Sequence, residues 1–169
     1  ATIGDFHTLL PVEYAVPTER TVVKVMYDSD ALYIGALLYN RNPAQISARV
    51  LKQGDGLLAD DRFSVVIDTF HDRRNGYLFM VNANGVRRQG LFQNTTNLNF
   101  DWKGIWQTRS SMTGDGWTAE MRIPFSQLRF TPGSDPVWGL NVRRWNPTTY
   151  LDVYWVVIPY ETSGWASRF

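Results

Sequence analysis

Cysteine is absent from this sequence of 169 residues, and histidine occurs only twice, as His7 and His71. Without cysteine the chain can form no disulfide, no thiolate zinc site and no cysteine nucleophile. Two histidines exclude most zinc sites and leave little material for a Ser–His–Asp triad, and no G-x-S-x-G motif is present. No acid lies in an apolar strand context that would raise its pKa for glycoside cleavage. The sequence therefore predicts a protein that is not an enzyme.

An excess of charge of one sign is also missing. Lysine and arginine number 17 and aspartate and glutamate 16, so the formal net charge is +1. Such a balance gives no long-range attraction for a polyanion, and we predict no nucleic-acid partner. The basic residues concentrate in three Arg-Arg pairs, at 73–74, 87–88 and 143–144. These pairs leave an anionic ligand open as an alternative.

Long apolar runs are lacking as well. No stretch of about 18 apolar residues indicates a membrane helix, and no signal peptide is recognisable. The chain begins with "ATIGDF" and ends with "SGWASRF" without a polar tail. We therefore expect residues 1–169 to be one domain excised from a longer protein.

Aromatic residues are abundant, with seven Trp, eight Tyr and nine Phe. They fall in segments where apolar and polar residues alternate, such as "TVVKVMYD" and "GWTAEMRIPF". Alternation with a period of two is typical of strands that bury one face. About nine such segments, separated by Gly-, Asn- and Asp-rich turns, predict an all-β, antiparallel β-sandwich.

The stretch "DDRFSVVIDTFHDRRNGYLFMVNANG", residues 60–85, predicts a hairpin. Asn75-Gly76 is expected to supply the positive φ of its turn. Val66, Leu78 and Met80 are apolar on the face opposite Phe63, Val65 and Ile67, so we predict that the hairpin is buried on both faces.

Its charged residues have two interpretations. The first is a structural network at the rim of the sandwich, formed by Asp61, Arg62, Asp68 and Arg74. The second is a calcium site that uses Asp60 and Asp61, because calcium prefers oxygen ligands and carboxylates supply them. Against the calcium site stands the simpler hypothesis that both acids accept loop N–H groups.

Tryptophans next to polar residues indicate where a ligand could bind. Trp102 and Trp106 lie in "NFDWKGIW", and Trp145 follows Arg143 at a strand end. Exposed aromatic faces beside polar groups suit a sugar or a protein partner. We therefore predict a ligand-binding set of Trp102, Trp106, Arg143 and Trp145. Trp117 and Trp138, on apolar strand faces, are expected in the core.

Four segments together resemble a known domain. "PTERTVVKVMYDSDALYIGA", the 60–85 stretch, "GWTAEMRIPFSQLRF" and "WGLNVRR" occur in the order found in the sandwich of carbohydrate-binding-module family 9. More narrowly, they resemble the N-terminal domain of uncharacterised bacterial outer-membrane-associated proteins whose C-terminal part is a predicted β-barrel. The resemblance implies the sandwich fold, an extracytoplasmic location (periplasm or cell surface) and a missing C-terminal barrel.

The resemblance also implies where a sugar would bind. Family 9 modules hold sugar between two tryptophans, with polar contacts at positions that fall near Ser64, Met80 and Arg143 of this sequence. The first tryptophan of that clamp has no counterpart, because "GDGLLA" precedes the strand, and the second could be Trp145 or Trp155. We predict a non-catalytic carbohydrate-binding module with a glycan or glycan-like ligand. The rival hypothesis is a domain that docks on its own barrel or on a protein partner and binds no sugar.

Overall fold

The alternating segments form two antiparallel β-sheets that pack face to face. The computed structural model describes residues 1–53, 56–94, 97–131, 133, 136–159 and 161–162. Within these ranges it has twelve strands: β1 Thr2–Ile3, β2 His7–Leu10, β3 Thr21–Tyr27, β4 Ala31–Tyr39, β5 Arg62–Asp68, β6 Gly76–Asn82, β7 Arg87–Gln93, β8 Asn97–Asn99, β9 Gln107–Thr113, β10 Gly116–Pro124, β11 Gly139–Asn146 and β12 Leu151–Tyr154. Single 3₁₀ turns lie at Pro43–Gln45 and Phe125–Gln127.

The two sheets divide the strands unequally. The first has five strands in the order β1-β3-β4-β10-β9, and the second has seven in the order β2-β12-β11-β5-β6-β7-β8. The predicted β-sandwich is confirmed. The strands beyond the nine predicted are β1, β2 and β8, which have two to four residues each. Such short strands at sheet edges carry too little alternation to be recognised in a sequence.

The core between the sheets is built from the predicted faces. Phe63, Val65 and Ile67 of β5 are fully buried there, and Trp117 of β10 is 1% exposed. Trp138 is half-buried and packs against the same cluster. Because strands alternate their side chains between two faces, the remaining residues of β5 and its neighbours face outward.

The outward face of the seven-stranded sheet is apolar at its centre. Val66, Leu78 and Phe92 are buried there and form a second cluster, against which Met80 and Phe100 pack. The prediction that the 60–85 hairpin is buried on both faces is thus confirmed. A sheet face that is apolar without a second sheet on it can form the floor of a binding site.

The turn of that hairpin differs from expectation. The positive φ angles belong to His71 (51°) and Arg73 (58°), so the prediction for Asn75-Gly76 is wrong. Asp72 instead stabilises the turn by accepting the N–H groups of Arg74 and Asn75. Gly76 is needed for space, because a Cβ there would lie 2.3 Å from the carbonyl oxygen of Ile67.

Across the parts of the chain that the structure describes, no helix has the length and apolar character needed to cross a membrane.

Candidate functional site

A groove of about 650 Å³ lies on the outward face of the seven-stranded sheet. We call it the outer groove. Outward side chains of five neighbouring strands line it: Arg62, Ser64 and Val66 of β5, Leu78 and Met80 of β6, Arg88 of β7, Asn141 and Arg143 of β11, and Tyr154 of β12. Leu9 of β2, Leu98 of β8 and Val142 of β11 also contribute, and residues outside the strands complete the lining: Leu57, Leu58, Phe100, Ile158, Pro159 and Thr162.

Arg62 connects the groove to the loop before β5. Its side chain is 5% exposed, and its Nη1 donates to the carbonyl oxygens of Leu57 (3.1 Å) and Leu58 (3.0 Å). Burial, together with the positive charge of Arg143, lowers the pKa of Arg62 to about 10. The guanidinium therefore holds one wall of the groove by hydrogen bonds to backbone oxygens and retains its charge at neutral pH.

Arg143 is fixed by a carboxylate. Its Nε and Nη2 donate to the two oxygens of Asp152, at 2.8 and 2.9 Å. The Asp152 side chain is 2% exposed and that of Arg143 35%, so the guanidinium still reaches the groove. It also lies 5.2 Å from the ring centroid of Tyr154. A two-point pair of this kind sets the orientation of the arginine.

Arg88 is held differently. Its guanidinium carbon lies 3.8 Å from the ring centroid of Phe100, which places the cation directly on the ring. The Nε of Arg88 is buried and has no hydrogen-bond partner in the described part of the chain. Within the described residues, Arg88 forms no ion pair with a carboxylate. The outer groove therefore contains a positively charged side chain that stacks on an aromatic ring and, among the described residues, is not paired with a carboxylate.

The four predicted ligand-binding residues are not brought together. Arg143 lines the outer groove, and Trp145 lies beside it, half-buried, with its ring 5.6 Å from the guanidinium carbon of Arg62. The Nε1 of Trp145 donates to the carbonyl oxygen of Leu58. These two residues are thus at one location, on the outward face.

Trp102 and Trp106 lie on the other side of the sheet. Trp106 is 1% exposed, and its Nε1 donates to Oε1 of Gln89, so its assignment to a surface ligand site is corrected: it is a core residue. Trp102 is half-buried and packs edge-on against Tyr77 (5.1 Å) and Phe79 (5.8 Å). The loop before β9 folds over the inward face of β6. The sequence does not indicate this position, because the residues around both tryptophans are polar.

Asp60 and Asp61 are fully buried, and their carboxylates accept backbone hydrogen bonds from the loop at 47–50. Asp60 accepts the N–H groups of Arg49 (2.9 Å) and Val50 (3.0 Å), and Asp61 accepts that of Ser47 (2.8 Å). This is the arrangement of the simpler hypothesis. No cluster of three or more His, Cys, Asp or Glu suited to a metal occurs among the described residues. Calcium binding at Asp60 and Asp61 stays a prediction.

The predicted network of Asp61, Arg62, Asp68 and Arg74 does not form as such. Arg62 and Asp68 are the first and last residues of β5, so the four residues divide between opposite ends of one strand. Asp68 accepts the N–H groups of Phe70 and Arg73, whereas the Arg74 side chain is exposed. The four charged residues are close in the sequence, but the extended strand β5 places Asp61 and Arg62 near one of its ends and Asp68 and Arg74 near the other.

A charge cluster that we did not predict lies between the sheets. Arg144, 1% exposed, donates from Nη2 to Oε2 of Glu19 at 3.0 Å, and Asn146 donates to the same oxygen. Burial lowers the pKa of Arg144 and raises that of Asp61 to about 6, although the charge of Arg144 opposes the shift of Asp61. The sequence contains one signal for this cluster. Arg144 lies two residues after Val142, so the alternation of the strand places both side chains on the inward face of β11.

Comparison with solved structures shows the fold. A protein from Bacteroides uniformis ATCC 8492, proposed to bind carbohydrate, superimposes with a TM-score of 0.72 at 13% identity, over 98% of this chain and 83% of that one. A family 9 carbohydrate-binding module from Caldicellulosiruptor kristjanssonii, in complex with cellotriose, gives 0.62 at 19% identity, over 92% and 74%. The same organism's module with glucose gives 0.56 at 18% identity, over 89% and 72%.

These likenesses establish a sandwich of the family 9 type. No model of a known protein family matches the sequence, and no curated protein matches it. At such low identity the likeness concerns the backbone and does not extend to the side chains of a site.

Proposed function

We propose that this protein is a non-catalytic carbohydrate-binding module whose ligand occupies the outer groove. The observation that carries the proposal is the position of the groove. Ser64, Met80 and Arg143, the positions that the family resemblance aligns with sugar contacts, all line it. Its volume of about 650 Å³ lies within the usual range of small-molecule sites.

The structural neighbours support the same class of ligand. Two of them are family 9 modules in complex with cellotriose and with glucose. The groove of this chain adds polar groups suited to hydroxyls, namely the Ser64 hydroxyl and the Arg143 guanidinium, over an apolar floor. Sugar sites combine these two kinds of surface, because a pyranose has both C–H faces and hydroxyl edges.

We also propose that the module acts outside the cytoplasm, as part of an outer-membrane-associated protein. The support is the resemblance of residues 17–36 and 60–85 to the N-terminal domains of such proteins. Fractionation of cells that express the full-length protein, with detection of this domain in the periplasmic or surface fraction, tests the location. Detection in the cytoplasmic fraction would contradict it.

The test of function is a glycan array probed with the folded protein, once with calcium and once with a chelator. We expect binding to a defined set of sugars. Calcium dependence would support the prediction at Asp60 and Asp61, and independence would contradict it. A folded sample that binds no glycan would favour the rival hypothesis, a domain that docks on its barrel or on a protein partner.

A pair of variants then locates the site. Ser64→Gln places a longer side chain in the middle of the groove, and we expect it to weaken glycan binding by about tenfold or more, since a filled groove loses contacts. Thr118→Gln is the control, because Thr118 lies on the outward face of β10 in the other sheet. It should bind as the unsubstituted protein does. Equal binding by both variants, with unchanged melting temperatures, would place the site elsewhere.

A further inference from the structure

The aromatic rings around the outer groove are already in contact with cations. Arg88 lies on Phe100 at 3.8 Å, Arg143 lies 5.2 Å from Tyr154, and Trp145 beside the groove has Arg62 at 5.6 Å. A neutral pyranose binds by stacking its C–H face on a free aromatic face. In this groove the guanidinium groups compete for those faces, so a ligand meets positive charge together with ring surface.

Those positive charges are only partly neutralised. Asp152 pairs with Arg143, but Arg62 and Arg88 form no ion pair within the described residues. Arg62 donates from Nη1 to backbone oxygens, whereas the guanidinium of Arg88 has no hydrogen-bond acceptor among the residues that the structure describes. A guanidinium that has no protein acceptor keeps its donors for an acceptor on a ligand, and hydrogen bonds to a charged group are among the stronger ones.

The apolar floor of the outer groove strengthens the interaction between its arginines and an acceptor on a ligand. Val66 and Leu78, each less than one-tenth exposed, line the groove together with Met80 and give it an apolar floor beside the three arginines. Charges that meet beside an apolar surface attract more strongly than charges in bulk water, because the surface lowers the local dielectric constant. The arrangement therefore favours an anionic group that arrives on an otherwise uncharged, partly apolar molecule.

We infer that the outer groove selects a saccharide that carries an anionic group, a carboxylate or a sulfate, and that Arg88 binds this group. The inference rests on the proposed function, since it assumes that the ligand is a saccharide. The planar guanidinium of Arg88, oriented by the ring of Phe100, can donate two parallel hydrogen bonds to either anion. An acidic sugar then covers the apolar floor with its C–H face.

The decisive comparison uses pairs of saccharides that share a sugar skeleton and differ in whether they carry an anionic group. Affinity of the full chain is measured by titration calorimetry for trigalacturonic acid and for its methyl ester, and for galactose 6-sulfate and galactose. The first pair tests a carboxylate and the second a sulfate. We expect at least one anionic member to bind about tenfold or more tightly than its neutral partner, and its affinity to fall with added salt.

Variants assign the effect to Arg88. Arg88→Gln should lower the affinity for the anionic member about tenfold or more and bring it close to that of the neutral one. Arg88→Lys keeps the charge without the planar fork, and it should recover part of the loss; it also carries the test if the glutamine variant does not fold. Arg109→Gln is the control, because Arg109 is exposed on β9 in the other sheet, and should bind within about twofold of the unsubstituted protein.

Each result separates the two proposals. Equal affinity for charged and neutral partners, unaffected by Arg88→Gln, would overturn the inference and leave the carbohydrate-binding module standing. A loss as large in Arg109→Gln as in Arg88→Gln would overturn it too, since the effect would be one of net charge. Absence of binding to any saccharide, charged or neutral, by a folded sample would overturn both.

Discussion

At the scale of single residues, the buried acid Asp61 has the clearest energetic consequence. Burial raises its pKa from 3.8 to about 6, with Glu19 and Asp60 contributing in the same direction and the Ser47 N–H and Arg144 opposing. Between these two values the folded state binds a proton that the unfolded state has released. By linkage, the free energy of unfolding must then fall as the pH rises from about 4 to about 6.

Asp61→Asn tests this directly. Asparagine keeps an oxygen for the Ser47 N–H but cannot ionise, so the variant lacks this part of the pH dependence. The stability of the variant relative to the unsubstituted protein should increase by about 1–3 kcal/mol between pH 4 and pH 7. Urea denaturation at both pH values measures it.

The matched control is Asp5→Asn, since Asp5 is exposed. Its stability relative to the unsubstituted protein should not change with pH by more than a few tenths of a kcal/mol, on the order expected for an exposed site. A flat difference for Asp61→Asn as well would mean that Asp61 is ionised throughout this range.

At the scale of elements, the β5–β6 hairpin depends on a glycine for space. A Cβ on Gly76 would lie 2.3 Å from the Ile67 carbonyl oxygen and 2.4 Å from the Phe92 ring. Neither neighbour can move freely, since one is backbone in a central strand and the other is fully buried. Position 76, the first residue of β6, therefore has no room for a side chain larger than that of glycine.

Gly76→Ala should accordingly destabilise the protein by about 2–4 kcal/mol, the range of severe overpacking. Gly35→Ala is a suitable control, because Gly35 lies within β4 and its Cβ would have no atom within 4 Å. That substitution should be neutral or stabilising by up to about 1 kcal/mol. Chemical denaturation of both variants checks the contrast, and similar stabilities would show that the hairpin can shift to admit the methyl group.

At the scale of the whole molecule, a buried ion pair joins the two sheets. Glu19 precedes β3 of the five-stranded sheet, and Arg144 belongs to β11 of the seven-stranded sheet. Their side chains are 2% and 1% exposed. Removing one partner of such a pair leaves the other charge buried without compensation.

Glu19→Gln should therefore cost about 3–5 kcal/mol of unfolding free energy. Glu120→Gln, on the exposed face of β10, is the control and should change it by less than about 0.5 kcal/mol. Thermal and urea denaturation report both values. A loss below about 1 kcal/mol for Glu19→Gln would show that water replaces the carboxylate between the sheets.

The sequence predicted the sandwich well but did not show which of the predicted ligand-binding residues lie together, and the reasons are physical. Alternation reports which face of a strand is buried, so the core faces of β5, β6 and β10 were evident. The alternation does not indicate which part of the chain covers a given strand face. Trp106, which lies at the end of a loop, could therefore not be distinguished from a surface tryptophan. The sequence indicates Arg88 as a member of an Arg-Arg pair that could hold an anion, but it does not indicate the stacking on Phe100, which depends on a loop that returns to the sheet.

The order of strand pairing sets when this chain can fold during its synthesis. β4 lies between β3 and β10, and β5 lies between β6 and β11, so the central strand of each sheet needs a partner strand from the last third of the chain. A ribosome that has produced only the N-terminal hairpins presents unpaired strand edges and apolar faces to the cell. Such non-local pairing slows folding and prolongs that exposure. The nascent chain should therefore depend on protection by chaperones until β10 and β11 have emerged.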